Sequence, residues 1–494
     1  MKLKNVLSHV ALSLVMLFIS GSATAQLRTS YFMEGTYFRT ELNPALVPTR
    51  SYLALPVMSG VGLGISSNFL SLDNMYYKSN DKYISVLDGT KDLTKIFPES
   101  ANLRLNANAN ILGIGFYSGK TFWTLGLNAR VQSIASFSND LFAGLVSESA
   151  KKIKESYYDS SSFMEVYFGS SFHVHKNVNL GFRLKALIGV MNVNGKMLQA
   201  QYDPASGRSM LYGEYAIYGM CMPREPLHFA QKYTGEEIFN KDFGYMSSGL
   251  PSAGLALDLG VEARLLNNHI RISAAIADVG FIKWNADKMA CLGVSSTHNF
   301  HNATLKDMFS GGNAEFVYER KHVGDEEDTL RMLNYSANLG VEFSFWRNHL
   351  SLGVLSHNEF CNNKSHYHDV TASFNLRPNS WLSATVSKTF MVGDDYDIFG
   401  IAINIHPRVI NIFVGADFVD YNIARSEGGA YLFQRPTSHS VYAGVGFNFA
   451  RPKYIVKAEK EARKARREAR EMRKAAKAAK AAKPVKAAKK GAKK

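Results

Sequence analysis

Apolar and polar residues alternate strictly along much of this chain. In residues 103–117 the odd positions read Leu, Leu, Ala, Ala, Ile, Gly, Gly, Tyr, while the even positions begin Arg104, Asn106, Asn108, Asn110. In residues 121–137, Trp123, Leu125, Leu127, Ala129 and Val131 share one face, and Thr124, Asn128, Arg130 and Gln132 share the other. Residues 255–265 and 333–345 repeat the pattern, setting Leu255, Leu257, Leu259, Val261 against Asp258, Glu262, Arg264, and Leu339, Val341, Phe343 against Asn338 and Glu342. A period of two marks extended strands with one apolar and one polar face. Many runs exceed the soluble average of about 5–6 residues and match the roughly 9–11 that a tilted strand needs to cross a bilayer. The pattern therefore predicts an all-β, transmembrane antiparallel up-and-down β-barrel, in which no sheet edge meets lipid. A soluble β-sandwich or β-helix is the competing architecture.

Fifteen runs can be marked. Placing residues 208–222 in an outer loop leaves fourteen, at about 51–66, 101–118, 121–137, 161–175, 178–201, 253–266, 269–284, 329–346, 349–361, 366–376, 381–391, 397–405, 408–419 and 438–449. Barrels of this type want an even number. Tight turns at Gly119-Lys120, Lys176-Asn177, Asn267-Asn268, Arg347-Asn348, 377–380 and His406-Pro407 then fall on one side. The long connections 67–100, 138–160, 202–252, 286–328 and 420–437 fall on the other, an asymmetry expected of outer-membrane barrels. Trp123, Trp284, Trp346 and Trp381 stand at strand ends, where interfacial aromatics belong, although only Trp123 has plain lipid parity. Asp278 also falls on lipid parity, which predicts a bulge before Gly280.

The two ends of the chain change the picture. Residues 1–25 carry Lys2 and Lys4, an apolar stretch, and Ala23-Thr24-Ala25, the form of a secretory signal cleaved before Gln26. The other end, 451–494, holds 19 Lys and Arg against 4 Glu, which equals the net +15 of the whole chain. Residues 1–450 are thus balanced and exert no net pull on phosphate. The tail is rich in helix formers up to Pro484 and has too few apolar residues to bury a face. An even strand count puts it in the periplasm, where two readings stand. It contacts peptidoglycan or inner-leaflet head groups, or it is a low-complexity extension with no dedicated partner. Secretion removes nucleic acid as a partner. Cys221, Cys291 and Cys361 are too few for a disulfide scaffold and all fall on the extracellular side.

Polar faces of the strands carry both signs of charge: Arg104, Arg130, Arg183, Lys185, Arg264 and Arg271 against Glu165, Asp258, Glu262, Glu342 and Asp417. These are the predicted lumen-facing charges. They line a water-filled path or neutralise one another, and mixed signs fit mutual pairing better than ion selectivity. Catalytic elbows, phosphate loops and zinc-type cysteine spacings are absent, so neither an enzyme nor a cofactor or metal is expected. His366/His368 and His173/His175 alternate as metal ligands can, but neither pair has a third ligand placed beside it.

Two blocks carry a resemblance. "SYFMEGTYFRTELNPALVPTRSYLALPVMSGVGLG", with Asn43-Pro44-Ala45 and Pro56, and "AAIADVGFIKW" in mid-barrel resemble a Bacteroidota family of outer-membrane barrels catalogued as domain of unknown function 5723. The resemblance spans about residues 30–449. That family is similar to long-chain fatty acid transporter (FadL-like) barrels, which have an N-terminal hatch. The resemblance implies that residues 26–50 form a hatch inside the periplasmic half of the barrel, with Asn43, Pro44 and Ala45 as its motif. A simple turn before the first strand explains Asn43-Pro44 equally well. The expected organisation is a signal peptide (1–25), hatch (26–50), barrel (51–450) and periplasmic tail (451–494) in the outer membrane of a Gram-negative bacterium. Outer-membrane lipid is one expected partner and a small hydrophobic ligand another. The function expected is passive transport of that ligand. The alternative is a non-transporting scaffold or shuttle component of outer-membrane secretion or assembly, anchored to peptidoglycan by its tail.

Overall fold

The computed structural model describes residues 27–55, 60–69, 76–79, 82–85, 97–144, 147, 149, 151–203, 208–219, 221–222, 245–246, 252–284, 290–298, 315–320, 329–361, 366–392, 397–418, 423–425, 431–433, 437–451, 461, 464, 468–472 and 474–475. The signal segment and Pro56 lie outside these residues.

Fourteen antiparallel strands close into one barrel. They are β1 (Tyr52–Ala54 and Val61–Ser67, in two pieces), β2 (Ser100–Ser118), β3 (Thr121–Ser138), β4 (Lys151–His175), β5 (Val178–Asp203), β6 (Ser252–Leu265) and β7 (Ile270–Trp284). Then come β8 (Thr329–Met332 and Tyr335–Phe345, also in two pieces), β9 (Leu350–Phe360), β10 (His366–Asn379), β11 (Leu382–Met391), β12 (Asp397–Ile405), β13 (Ile410–Phe418) and β14 (Thr437–Asn448). Each pairs with its neighbour in sequence, and β14 closes the ring on β1, with Val61 opposite Ala443 and Ser67 opposite Thr437. Alternation is realised as the pattern requires. Leu184, Leu255, Leu339, Val386 and Val414 are exposed on the outside, while Glu165, Arg183, Asp258, Thr385 and Asn411 are buried within.

Four expectations need correction. Residues 151–160, read as loop, belong to β4, whose "SYYDSSS" stretch carries no apolar alternation to mark it as strand. Residues 208–222 do stay out of the ring, but Arg208–Gly219 is a strand on the far half of β5. Ala290–His298 pairs with it, and Glu315–Arg320 pairs in turn with Ala290–His298, extending the sheet past the barrel rim. In β2 a bulge between Asn110 and Leu112 switches parity. Leu112 and Phe116 therefore face outward, at 43% and 40% exposure, and Tyr117 turns in to donate to the Pro48 carbonyl at 2.6 Å. Trp284 is no interfacial anchor; it is 1% exposed and packs inside against Phe163, Leu187, Ile282 and Leu333. Trp346 and Trp381 are exposed at the turn end.

Residues 27–50 fold into the lumen. They form a 3₁₀ turn (Leu27–Ser30), a single helical turn (Arg39–Leu42) and irregular chain between. Tyr31, Phe32, Met33, Tyr37, Phe38, Asn43, Ala45 and Leu46 are all buried. Tyr37 stacks on Tyr52, and Phe38 on Phe413, so inward aromatics of β1 and β13 complete an apolar core inside the barrel. Gly35, at φ +94°, allows the bend that a side chain would strain. Gly181 of β5 leaves room for the Pro44–Ala45 backbone, which a Cβ there would strike. Of the tail, residues 461, 464, 468–472 and 474–475 are helical, in keeping with its composition.

Gly181→Val should therefore expel the inner segment without unravelling the ring. Limited trypsin digestion is expected to cut at Arg39 in the variant and not in the parent, while both keep heat-modifiable gel mobility.

Candidate functional site

The site is assembled around one irregularity in β7. Between β6 and β7 the register shifts, with Leu257 opposite Val279 but Leu259 opposite Ile276. The extra residue bulges at Asp278, which takes φ +65°. This is the bulge expected before Gly280, and it rotates Asp278 from the lipid side into the lumen. Its N–H donates to Asp258 Oδ1 at 2.7 Å. Its carboxylate accepts both arms of Arg130, at 2.7 and 2.9 Å, and Lys185 Nζ at 2.6 Å. Lys185 also reaches Asp258 at 2.8 Å, and Arg130 reaches Glu165 at 3.1 Å, which accepts Asn128 Nδ2 at 2.8 Å. Bidentate geometry and shared partners offset the desolvation of five ionised groups in one place.

This cluster forms one wall of a polar cavity of about 130 Å³, closed below by Arg28, Glu41 and Leu42 of the inner segment. Arg183, stacked over the Tyr167 ring at 4.5 Å, donates to Thr40 Oγ1 at 2.9 Å. Asn108 donates to Glu41 at 2.8 Å. The Oδ1 atoms of Asn108 and Asn128 and Nε of Arg183 are buried there without a protein partner. Space of this size holds on the order of four waters, which would satisfy them. The lining carries Arg28, Arg130, Arg183 and Lys185 against Glu41, Glu165, Asp278 and Glu359, so it is neutral overall.

The other predicted charges go elsewhere. Near the turn end Arg271 pairs with Glu34 and, at 3.5 Å, with Glu342. Glu342 also takes Arg377 and accepts Ser351 Oγ at 2.5 Å. Arg264 pairs with Glu262 at 2.8 Å along its own strand. Arg104 pairs with Glu359 and lies 3.9 Å over the Tyr367 ring. Asp417 accepts Thr29 and Ser440. Asn43 Oδ1 accepts the Ala45 N–H at 2.9 Å, an Asx turn, while its Nδ2 faces Tyr31 Oη and the Val261 and Ala274 carbonyls at 3.2–3.4 Å. Several partners were not in the predicted set. Asp369, which holds Arg28 at 2.7 Å, and Glu359 follow polar parity and could have been read from it. Arg28 and Glu34 sit in chain without a period, which gives no such signal. Among the described residues no group of three potential metal ligands occurs, and Cys361 is buried and free. The side chains of Cys221 and Cys291 lie outside the description.

The wall itself is interrupted beside Asp278. β7 pairs with the lower piece of β8 over residues 270–277 and with the upper piece over 281–284. Between them one bond remains, from Leu333 N–H to the Gly280 carbonyl at 2.9 Å. Ala277, Asp278 and Asn334 line the polar cavity inside; Val279, Gly280 and Met332 line an apolar groove of about 680 Å³ outside.

Residues 44–417 match the family described as "Family of unknown function (DUF5723)". The chain belongs to that family. A search of curated proteins found no match. Among solved structures, this DUF5723 chain is similar to the Pseudomonas putida toluene transporter TodX, at 10% identity and TM-score 0.42, over 87% of this chain and 99% of that one. It is also similar to the Ralstonia pickettii toluene transporter TbuX, at 11% identity and TM-score 0.41, over 87% and 96%. A Pseudomonas aeruginosa FadL homologue follows at 10% identity and TM-score 0.42, over 87% and 98%. At such values the fold of the DUF5723 chain rests on its own strand pairings.

Glu34 shows how the inner segment is held. Burial alone would push its carboxyl up, but Arg271, Arg377 and Arg39 outweigh this and hold it well below the usual carboxylate range. A depressed folded value contributes stability above the unfolded value and loses it only as pH falls through the folded one. The segment should thus stay protease-resistant down to the ordinary Glu range near about pH 4. Glu34→Gln should lower stability by roughly 1–3 kcal/mol at neutral pH and flatten the acid limb of a urea-unfolding series. Asp278→Asn, which strips a shared partner from Arg130 and Lys185, should cost roughly 3 kcal/mol in the same measurement.

Proposed function

We propose that this barrel sits in the outer membrane of a Gram-negative cell and passes a small hydrophobic molecule sideways into the membrane, without an energy source. The observation that carries the reading is the break between β7 and β8, where a lumen cavity and an apolar membrane-facing groove lie back to back. A straight route through the lumen is unattractive for an apolar solute, because the inner segment and paired charges fill it. Residues 27–50 act as the hatch in this reading, with Asn43-Pro44-Ala45 fixing its last turn. The solved proteins to which the chain is similar are described as toluene transporters and monoaromatic hydrocarbon channels, molecules of the class proposed here. The chain acts as a channel rather than an enzyme. Its basic tail, leaving from the end that carries the tight turns, reaches peptidoglycan in the periplasm.

Toluene uptake by cells carrying the protein should exceed that of cells lacking it, while ion conductance across planar bilayers stays low. Phe281 and Met332 face each other across β7 and β8 beside the break. A disulfide between Phe281→Cys and Met332→Cys should slow uptake until it is reduced. Free ion conductance with unchanged toluene uptake would refute the reading. Deleting 451–494 should release the barrel from sedimenting peptidoglycan and leave its heat-modifiable mobility intact.

A further inference from the structure

Native proteins leave few buried hydrogen-bonding atoms without a partner, so several in one place need a reason. Asn128 is 1% exposed and Arg183 is 2% exposed. Yet Oδ1 of Asn128 and Nε of Arg183 have no partner among the described residues, and Oδ1 of Asn108 has none either. All three side chains line the polar cavity of about 130 Å³ between the wall and the inner segment. Their other atoms are committed. Asn128 and Asn108 each donate through Nδ2 to a carboxylate at 2.8 Å, of Glu165 and of Glu41. Arg183 is fixed by Thr40 Oγ1 and by the Tyr167 ring. Two acceptors and one donor are thereby held in place around shared space.

These atoms and their surroundings define a guest by chemistry, charge and size. A hydroxyl donates and accepts through one oxygen, so a molecule carrying several can serve all three atoms. The lining is balanced, and Arg28, Arg130 and Lys185 have carboxylates at 2.7, 2.7 and 2.6 Å. A neutral guest leaves that balance alone, whereas a charged one would add a buried charge without a counterpart. An apolar guest would displace water and return none of its hydrogen bonds. A cavity of roughly 150 Å³ encloses benzene, so this one suits about six heavy atoms. On the side toward the long connections it is lined by Asn106, Gln132 and Ser336, all half-buried, so solvent reaches it there.

We infer that the cavity binds a small neutral polyol, of the size and chemistry of glycerol. Its hydroxyl groups join Asn108 of β2 and Asn128 of β3 to Arg183 of β5. Thr40 and Glu41 hold two of these side chains, so an occupied site also fastens Arg39–Leu42 to the wall. The inference goes beyond the transport reading. It concerns what rests in the lumen rather than what leaves through the wall, and it stands if no apolar solute is carried.

Ligand-observed NMR of the full-length protein in uncharged detergent tests this, with glycerol and glycine as probes. Glycerol should bind saturably in the low millimolar range, roughly tenfold more tightly than glycine. It should also slow hydrogen exchange in the peptide that covers residues 39–42. Asn108→Leu, which removes one acceptor at nearly constant volume, should weaken glycerol roughly tenfold. Ser336→Phe, which fills the cavity from β8 and leaves all three unpartnered atoms in place, should abolish both effects while heat-modifiable mobility is kept. A glycerol response that never saturates, or that Ser336→Phe retains, would overturn the proposal, since water alone would then fill the cavity. A preference for glycine would overturn it as well, because the site would then read charge.

Discussion

Inside a membrane every backbone N–H and C=O needs a partner, and this one constraint organises the molecule. The fourteen strands meet it among themselves by closing the ring. Residues 27–50 make only turn bonds among themselves, such as Met33 N–H to Ser30 and Asn43 N–H to Arg39, and several of their carbonyls find partners elsewhere. The lumen supplies the missing partners. Asn179 donates to the Ala45 carbonyl at 2.5 Å, Asn338 to Leu42 at 3.0 Å, Arg377 to Phe32 and Asn411 to Gly35 at 2.7 Å. These donors come from β5, β8, β10 and β13, and Asn108 and Tyr117 of β2 add bonds to Glu41 and Pro48, so the segment ties the wall together while it fills it. Moving it would expose bonds on every side at once.

The same economy governs charge. Residues 1–450 are neutral, and the buried charges are paired cluster by cluster, not only balanced in sum. Arg130 and Lys185 share Asp278, Asp258 and Glu165; Arg271 and Arg377 share Glu34 and Glu342. A porin with a wide lumen can leave such groups to water. Here the interior is too full for that, so direct pairing replaces hydration. Mixed signs along the polar faces were the readable trace of this.

Much of the architecture could be read directly, because lipid enforces a period of two wherever it touches the wall. The period failed in three ways, each with a cause. The far part of β4 has no apolar alternation and reads as loop, while the run at 208–222 reads as a strand that only the even count sets outside the ring. At bulges parity flips, and only Asp278, a charge on the wrong side, gave its bulge away; the one in β2 moved Leu112 for Ile111, apolar for apolar, and left no trace. Inside the barrel no period applies, so Glu34 and Arg28 could not be matched to Arg271 and Asp369 from spacing. Pairing between a non-periodic segment and many distant strands is a long-range property, and a single sequence does not encode it locally.

The break in β8 stands beside the Asp278 cluster. Asp278 must turn inward to be paired, and the bulge that turns it shifts the register of β7 against β6 by one residue, while against β8 the register is the same below and above the break. On the β6 side Asp258 repairs the loss by accepting the Asp278 N–H. On the β8 side no side chain does so, and the strand parts at Leu333–Asn334 with a single bond across to Gly280. The charge cluster and the thin place in the wall meet at one point: Asp278, which neutralises Arg130 and Lys185, stands beside the place where β8 parts. An apolar residue at 278 would have no need to bulge inward, but it would leave two buried cations short of a partner. Lumen electrostatics and the continuity of the wall meet at that position.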